Sequence, residues 1–307
     1  MFRGILIAVA IAATSIAQTI PLQSVPARMT VTVEAARGKE VGELNRQDVL
    51  VFHNKQRLTV TDWTALKNEH ASLELFLLLD DASGMSLGSQ LGDLRDFINS
   101  QPAATQIGIA YMQNGGAKIV QNLTADHARA AEALRLPFGA IAAGTSPYLA
   151  LDDLIKKWPA SNVRREVVMI SSGVDPLGGP SPLNPFLDMV IEHAQLSGFI
   201  VYTMYAPQAG HAGHSFGIAN SGQNHLAQLA EATGGESYML GFGAPVSFEP
   251  YLRDLAEHLA HQYSIEFQVP ASSQPELLSV KIESEVPGIE IIAAPRVFVW
   301  PLKPMSE

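Results

Sequence analysis

Hydrophobic and polar positions change rhythm twice along this chain. MTVTVEAARGKEV, beginning at Met29, alternates apolar and polar residues and then meets Arg37-Gly38, as a half-buried strand does on entering a turn. DVLVFHNKQRLTVTDW reads as a hairpin with a strand on each side of His53-Asn54-Lys55. Residues 29–66 are therefore expected to be antiparallel β. LELFLLLD, ending at Asp80, then breaks the alternation with a continuous apolar run, as a strand buried on both faces of a parallel sheet requires.

Beyond it strands and helices alternate. Leu87, Leu91, Leu94 and Ile98 recur at helical spacing; QIGIAYM and AKIVQNLT read as strands joined across Asn114-Gly115-Gly116. ADHARAAEAL and SPYLALDDLIKKW are expected to be helices, REVVMISSG a strand, NPFLDMVIEHAQLSG a helix and FIVYTMY a strand. NHLAQLAEATGG is a helix closed by glycine, followed by a short strand ESYML and the helix FEPYLRDLAEHLAHQ. Such alternation predicts a doubly wound, mostly parallel, Rossmann-like α/β domain over 71–262. After Gln262 the period returns to two in YSIEFQV, LSVKIES and IEIIAAPRVFVW. Neither terminal β segment can hold a core alone, so 29–66 and 263–304 are expected to form one small β-sandwich, with the α/β domain inserted between them.

The first residues carry a different signal. MFRGILIAVAIAATSIAQ has one positive charge at Arg3, a short apolar run, and Ser15-Ile16-Ala17 in the small-x-small pattern of an export cleavage site. Residues 1–17 read as a signal peptide and 18–28 as a linker. The expected location is periplasmic or secreted, with no membrane span after cleavage, since the run is shorter than the roughly 20 residues a spanning helix needs.

Across 307 residues, 47% hydrophobic content permits a large core. A formal net charge of -10 argues against nucleic acid or an anionic membrane as partner. The absence of cysteine excludes disulfides, thiolate metal sites and cysteine nucleophiles.

The stretch LFLLLDDASGMS, with Asp81-Ala82-Ser83-Gly84-Met85 after a buried strand, resembles the D-x-S-x-S element of von Willebrand factor A (VWA) domains. AAGTSPYLAL is similar to their threonine loop, VVMISSGVD to the strand that usually ends Ser-Asp-Gly, and LAEATGGESY to a late helix-to-strand segment. The flanking GKEVGELNRQDVLVFHNKQRLTVTDW and GIEIIAAPRVFVW resemble the exported VWA-related proteins abundant in acidobacteria. The resemblance implies a metal-ion-dependent adhesion site, at which Mg²⁺ would be held by Asp81, Ser83 and Thr145. Two positions depart from the pattern. Met85 stands where a second serine belongs, and a thioether is a poor ligand for a hard cation. Ser172 stands where the family has an aspartate. Asp80 and Asp175 are possible substitutes. The expectation is a degenerate site with weak Mg²⁺ binding at most, in a non-enzymatic protein that binds a protein partner through loops at the carboxyl edge of its sheet.

Two alternatives belong to other classes. One is an exported metal-dependent hydrolase using Asp80, Asp81 or Asp175 with the loop histidines His211 and His214 and nearby His225, a set that could ligate zinc. The other is a structural module of an envelope assembly, docked through its sandwich. His258 and His261, one turn apart, are expected at a helix surface or interface.

Overall fold

The computed structural model describes residues 23–35, 42, 44–83, 85–139, 146–179, 183–207, 215–239, 241, 243 and 245–301. The expected signal peptide 1–17 with its cleavage at Gln18, the turn at Arg37-Gly38, Thr145, His211 and His214 lie outside these residues.

The chain opens with β1 (Ser24–Ala35), which starts five residues before Met29, so the expected linker already carries strand at its end. β2 (Val49–His53) and β3 (Gln56–Ala65) form the hairpin read from the sequence. Its turn is Asn54-Lys55, both with positive φ, 47° and 68°, the mirror-image geometry whose twist suits a tight hairpin.

β4 (Leu73–Asp80) begins the α/β domain, and all eight of its residues are buried. There follow α1 (Met85–Gly88), α2 (Leu91–Ser100), β5 (Thr105–Gln113), β6 (Gly116–Thr124), α3 (His127–Glu132) and α4 (Pro147–Lys157). β7 (Arg164–Ser171), α5 (Pro185–Ser197), β8 (Phe199–Tyr205), α6 (Phe216–Thr233), β9 (Ser237–Tyr238) and α7 (Glu249–Ala260) complete it. The sheet order is β6-β5-β4-β7-β8-β9, parallel except for β6. That is the doubly wound order, reversing direction between β4 and β7.

Burial on both faces explains the apolar residues of β4; of its two acidic residues, Glu74 accepts the Trp158 indole N–H at 2.7 Å and Asp80 closes the strand. Leu73, Leu75, Leu77 and Leu79 join a core with α1, α2, α3 and α7. Phe76 and Leu78 face the other way, into a core with α4, α5 and α6. Alternate side chains of one strand thus feed opposite layers. Local chemistry sets the helix ends: Ser146 and Asn184 cap α4 and α5, each before a proline, and Gly198 ends α5 in the left-handed conformation.

The tail contributes β10 (Gln262–Pro270), β11 (Glu276–Ser279), β12 (Lys281–Ser284), β13 (Ile289–Ile292) and β14 (Arg296–Val299). The two ends of the chain share one antiparallel sheet, β12-β2-β3-β10-β1-β13, with β11 and β14 paired as a second layer. Val31, Val33, Val51, Ile265, Phe267, Val297 and Val299 fill the space between them. LSVKIES and IEIIAAPRVFVW were each expected as one strand, and each is two. The first splits at Val280 and the second around Pro295, which are joined by a Val280 N–H to Pro295 carbonyl bond of 2.9 Å. Each half pairs in a different layer, so the chain passes from one layer to the other at these two points.

Candidate functional site

Parallel strands ending together bring several loops to one edge of the sheet. Asp80 closes β4, Ser171 closes β7, and the segment after α3 returns to the same place. Asp80 is buried and accepts the Ala82 N–H (2.9 Å) and the Ser171 hydroxyl (2.8 Å). Burial pushes its carboxyl above the ordinary value, against the opposing pull of those hydrogen bonds. Its role is to tie the β4 turn to the end of β7.

Asp81 has 0% exposure. Its partner is Arg135, which sequence reading did not single out. Nη1 donates to Oδ1 and Nη2 to Oδ2, both at 2.7 Å, a two-pronged fit of guanidinium to carboxylate. The Gln113 amide and the Phe138 N–H also donate to this carboxylate. Burial would raise the Asp81 pKa, but the bonds from Arg135, Gln113 and Phe138, with the arginine charge, outweigh it and hold it below the ordinary value. The Arg135 guanidinium lies between the Tyr111 ring (3.8 Å) and the Phe138 ring (4.1 Å). Tyr111 and the Arg135 backbone exchange two hydrogen bonds of 2.8 Å, which fix the stem of the arginine.

The remaining candidates are held in their own loops. Ser83 lies beside Asp81 in the turn, 1% exposed, with no hydrogen-bond partner for its hydroxyl among the described residues. Met85 is 80% exposed. Ser86 donates to the carbonyls of Ser83 and Pro207. Ser172 accepts the Val174 N–H, and Asp175 accepts from the Leu177 N–H and the Asn184 amide. A divalent cation held here would need carboxylate charge and free oxygens to offset its lost water. Both Asp81 oxygens are taken, Met85 offers no hard ligand, and Ser172 brings no charge. The described donors do not fit Mg²⁺; the unpartnered Ser83 hydroxyl is the one feature in its favour.

No family model matches the sequence, and no curated relative matches it. Among solved structures the chain is similar to an aerotolerance-related membrane protein of Bacteroides fragilis NCTC 9343, at 15% identity and TM-score 0.44, covering 61% of this chain and 98% of that one. It is similar to the vWF domain of the type V pili tip protein Mfa5 from Porphyromonas gingivalis, at 11% identity and TM-score 0.44, covering 61% and 94%. It is also similar to VWA2, an ArnB paralog from Sulfolobus acidocaldarius, at 10% identity and TM-score 0.42, covering 90% and 74%. At such distances the fold rests on the strand order above and not on these likenesses.

The same edge has a second property. Ten large apolar side chains are exposed among the described residues, and seven of them sit here: Met85, Leu136, Phe138, Leu177, Leu183, Phe216 and Val246. Each belongs to a segment that leaves, or returns to, the carboxyl end of a strand.

His225 is buried within α6, its ring 6.1 Å from that of Tyr148. His258, expected with His261 at a helix surface or interface, is buried where the last helix meets β1. Its Nε2 meets Glu34 of β1 and lies 3.7 Å from Asp254; its Nδ1 lies 3.4 Å from Glu236 and 3.3 Å from the Tyr238 hydroxyl. Glu34, Glu236 and His258 are near enough to suggest metal ligands. The carboxylates, however, divide between the two ring nitrogens, and an ion could use only one of these. The arrangement is that of an imidazolium ion clasped from both sides. Burial lowers the His258 pKa, but the Glu34 hydrogen bond and the charges of Glu34, Glu236 and Asp254 raise it above the ordinary value.

Proposed function

We propose that this is an exported, non-enzymatic protein-binding module that engages its partner through the loops at the carboxyl edge of the α/β sheet, without need of a metal. The observation that carries this reading is the gathering, at that one edge, of seven of the ten large apolar side chains exposed among the described residues. Exposed apolar side chains concentrated on one face of a folded chain mark interaction surfaces, and the carboxyl edge is where open α/β sheets bind. The VWA resemblance agrees, since such domains as a class bind proteins there. Asp80, Asp81 and Asp175 are each engaged by hydrogen bonds within the chain, which speaks against a hydrolase built on them.

The test is site-specific photocrosslinking in envelope extract, with the probe placed at Met85, Phe138 or Val246, and at Lys67 and Ser161 on the opposite edge as controls. The reading expects adducts from the first three positions, unchanged by chelator. Equal adducts from the controls, or loss of all adducts on chelation, would refute it.

A further inference from the structure

The buried charge of Asp81 needs a counterion in any functional reading of the edge. A carboxylate with 0% exposure is tolerated only when paired and hydrogen-bonded. In the family this sequence resembles, the counterion is a divalent metal. Here the donor set does not fit one, and the chain supplies its own cation. We propose that the Arg135 guanidinium is the resident cation of this site, so that Arg135 and a divalent ion are mutually exclusive occupants of Asp81.

Four observations converge. The two Nη atoms engage one Asp81 oxygen each at 2.7 Å, and the Gln113 amide and Phe138 N–H take the second lone pair of each, so the four acceptor sites of that carboxylate are filled within the chain. The guanidinium is clasped between two aromatic rings and donates also to the Leu136 carbonyl at 2.9 Å, so its position is built and not incidental. The neighbouring Ser83 hydroxyl is buried and has no hydrogen-bond partner among the described residues. Finally, Asp81 is tied by its backbone as well: its carbonyl accepts the Gly139 N–H at 2.8 Å. The β4 turn and the segment after α3 are therefore fastened together at this point, a task that a bridging metal would otherwise perform. Arg135 acts as a positioning residue for both loops.

The inference does not depend on the partner-binding proposal, and its test uses no partner. Thermal unfolding of the full chain is followed in chelator and in millimolar Mn²⁺, for wild type, Arg135→Ala, and Arg135→Ala with Asp81→Asn. The wild-type Tm is expected to be the same in both solutions. Arg135→Ala leaves a buried charge unpaired and should lower the Tm in chelator by roughly 6–15 °C. Mn²⁺ should recover part of that loss, because removing the guanidinium opens one lone pair on each Asp81 oxygen, beside Ser83 and with the Gln113 and Phe138 bonds kept, and the recovery should vanish in the double variant, which no longer has the charge. Arg135→Lys, which keeps a cation but not the fork, should lose less and ignore Mn²⁺; it carries the test if the alanine variant does not fold. A wild-type Tm that climbs with Mn²⁺, an Arg135→Ala protein that ignores it, or a lysine variant that responds to it overturns the proposal.

Discussion

Glu34→Gln removes one side of the clasp that joins the last helix of the α/β domain to the first strand of the shared sheet. The replacement keeps the shape of the side chain and deletes its charge. A charge-assisted hydrogen bond contributes about 1.5–3 kcal/mol. Glu34 retains 31% of its side-chain exposure while His258 has 8%, so water screens one partner and the contribution falls to about 1–2 kcal/mol. Its pH window follows from the two shifts. Glu34 is held below its ordinary 4.5, by the His258 hydrogen bond above all, so its share is present above that value and is lost as pH falls through the folded pKa. His258 is raised above its ordinary 6.5, so its share is full below 6.5 and is lost as pH rises through the folded pKa. The two shares coincide between 4.5 and 6.5. Burial raises the pKa of Glu236, so its ionisation opposes stability, but this happens in both proteins and largely cancels in their difference. Urea unfolding of wild type and Glu34→Gln, at about pH 5.5 and about pH 9.5, reads the result. The difference should be about 1–2 kcal/mol at the acidic point and shrink to a few tenths at the alkaline one. A difference that is equal at both, or larger at the alkaline one, would refute the clasp.

Two further outcomes follow from packing. Gly222→Ala places a new Cβ 2.3 Å from the Ser172 carbonyl, so the loop after β7 must shift; urea unfolding should show a loss of about 1–3 kcal/mol, and no loss would mean that the close approach is slack. Deleting the chain after Gln262 strips β1 and β3 of their shared neighbour, and hydrogen exchange should lose its protection across 29–66. Unchanged protection there would show that the front strands stand alone.

The α/β domain was legible because its signals are local. The apolar run 75–79 of β4, leucines at helical spacing, and Ser146 and Asn184 before prolines each name an element without help from a distant residue. The tail was less legible. LSVKIES keeps its period of two straight through Val280, so nothing in the pattern marks where the chain leaves one layer for the other; the partners that decide it are β2 and β14. Helix α6 starts eight residues before the NHLAQ run, because Phe216–Gln223 is too mixed in polarity to show a stripe. At the site, the motif pointed to Asp81 and Ser83, and they lie together in one turn. It gave no hint of what holds Asp81. The one available clue was a lone arginine inside the apolar run ALRLPF, and the separation of 54 residues between Arg135 and Asp81 conceals their meeting. The apolar crown was invisible for a related reason: Met85, Phe138 and Val246 are far apart in sequence, and only the strand order brings their loops to one edge.

The shared sheet also dictates an order of events. β1 hydrogen-bonds to β10 and β13, so Ser24 faces Pro270 and Ala35 faces Ile289. Among the described strands, the first has no ladder partner until the chain has been made as far as β10, while β2 and β3 can close at once as a hairpin. What shortens this wait is the α/β domain itself. Its folding brings position 66 to position 262, where the Leu66 N–H meets the Gln262 carbonyl at 2.9 Å. A closure that would span the domain as free coil becomes a meeting of neighbours, with most of the loop entropy already spent. The sheet around the inserted domain is therefore expected to assemble after that domain folds, the order with the lower closure entropy. Until it is complete, β1 and the hairpin present open edges that can pair with other chains.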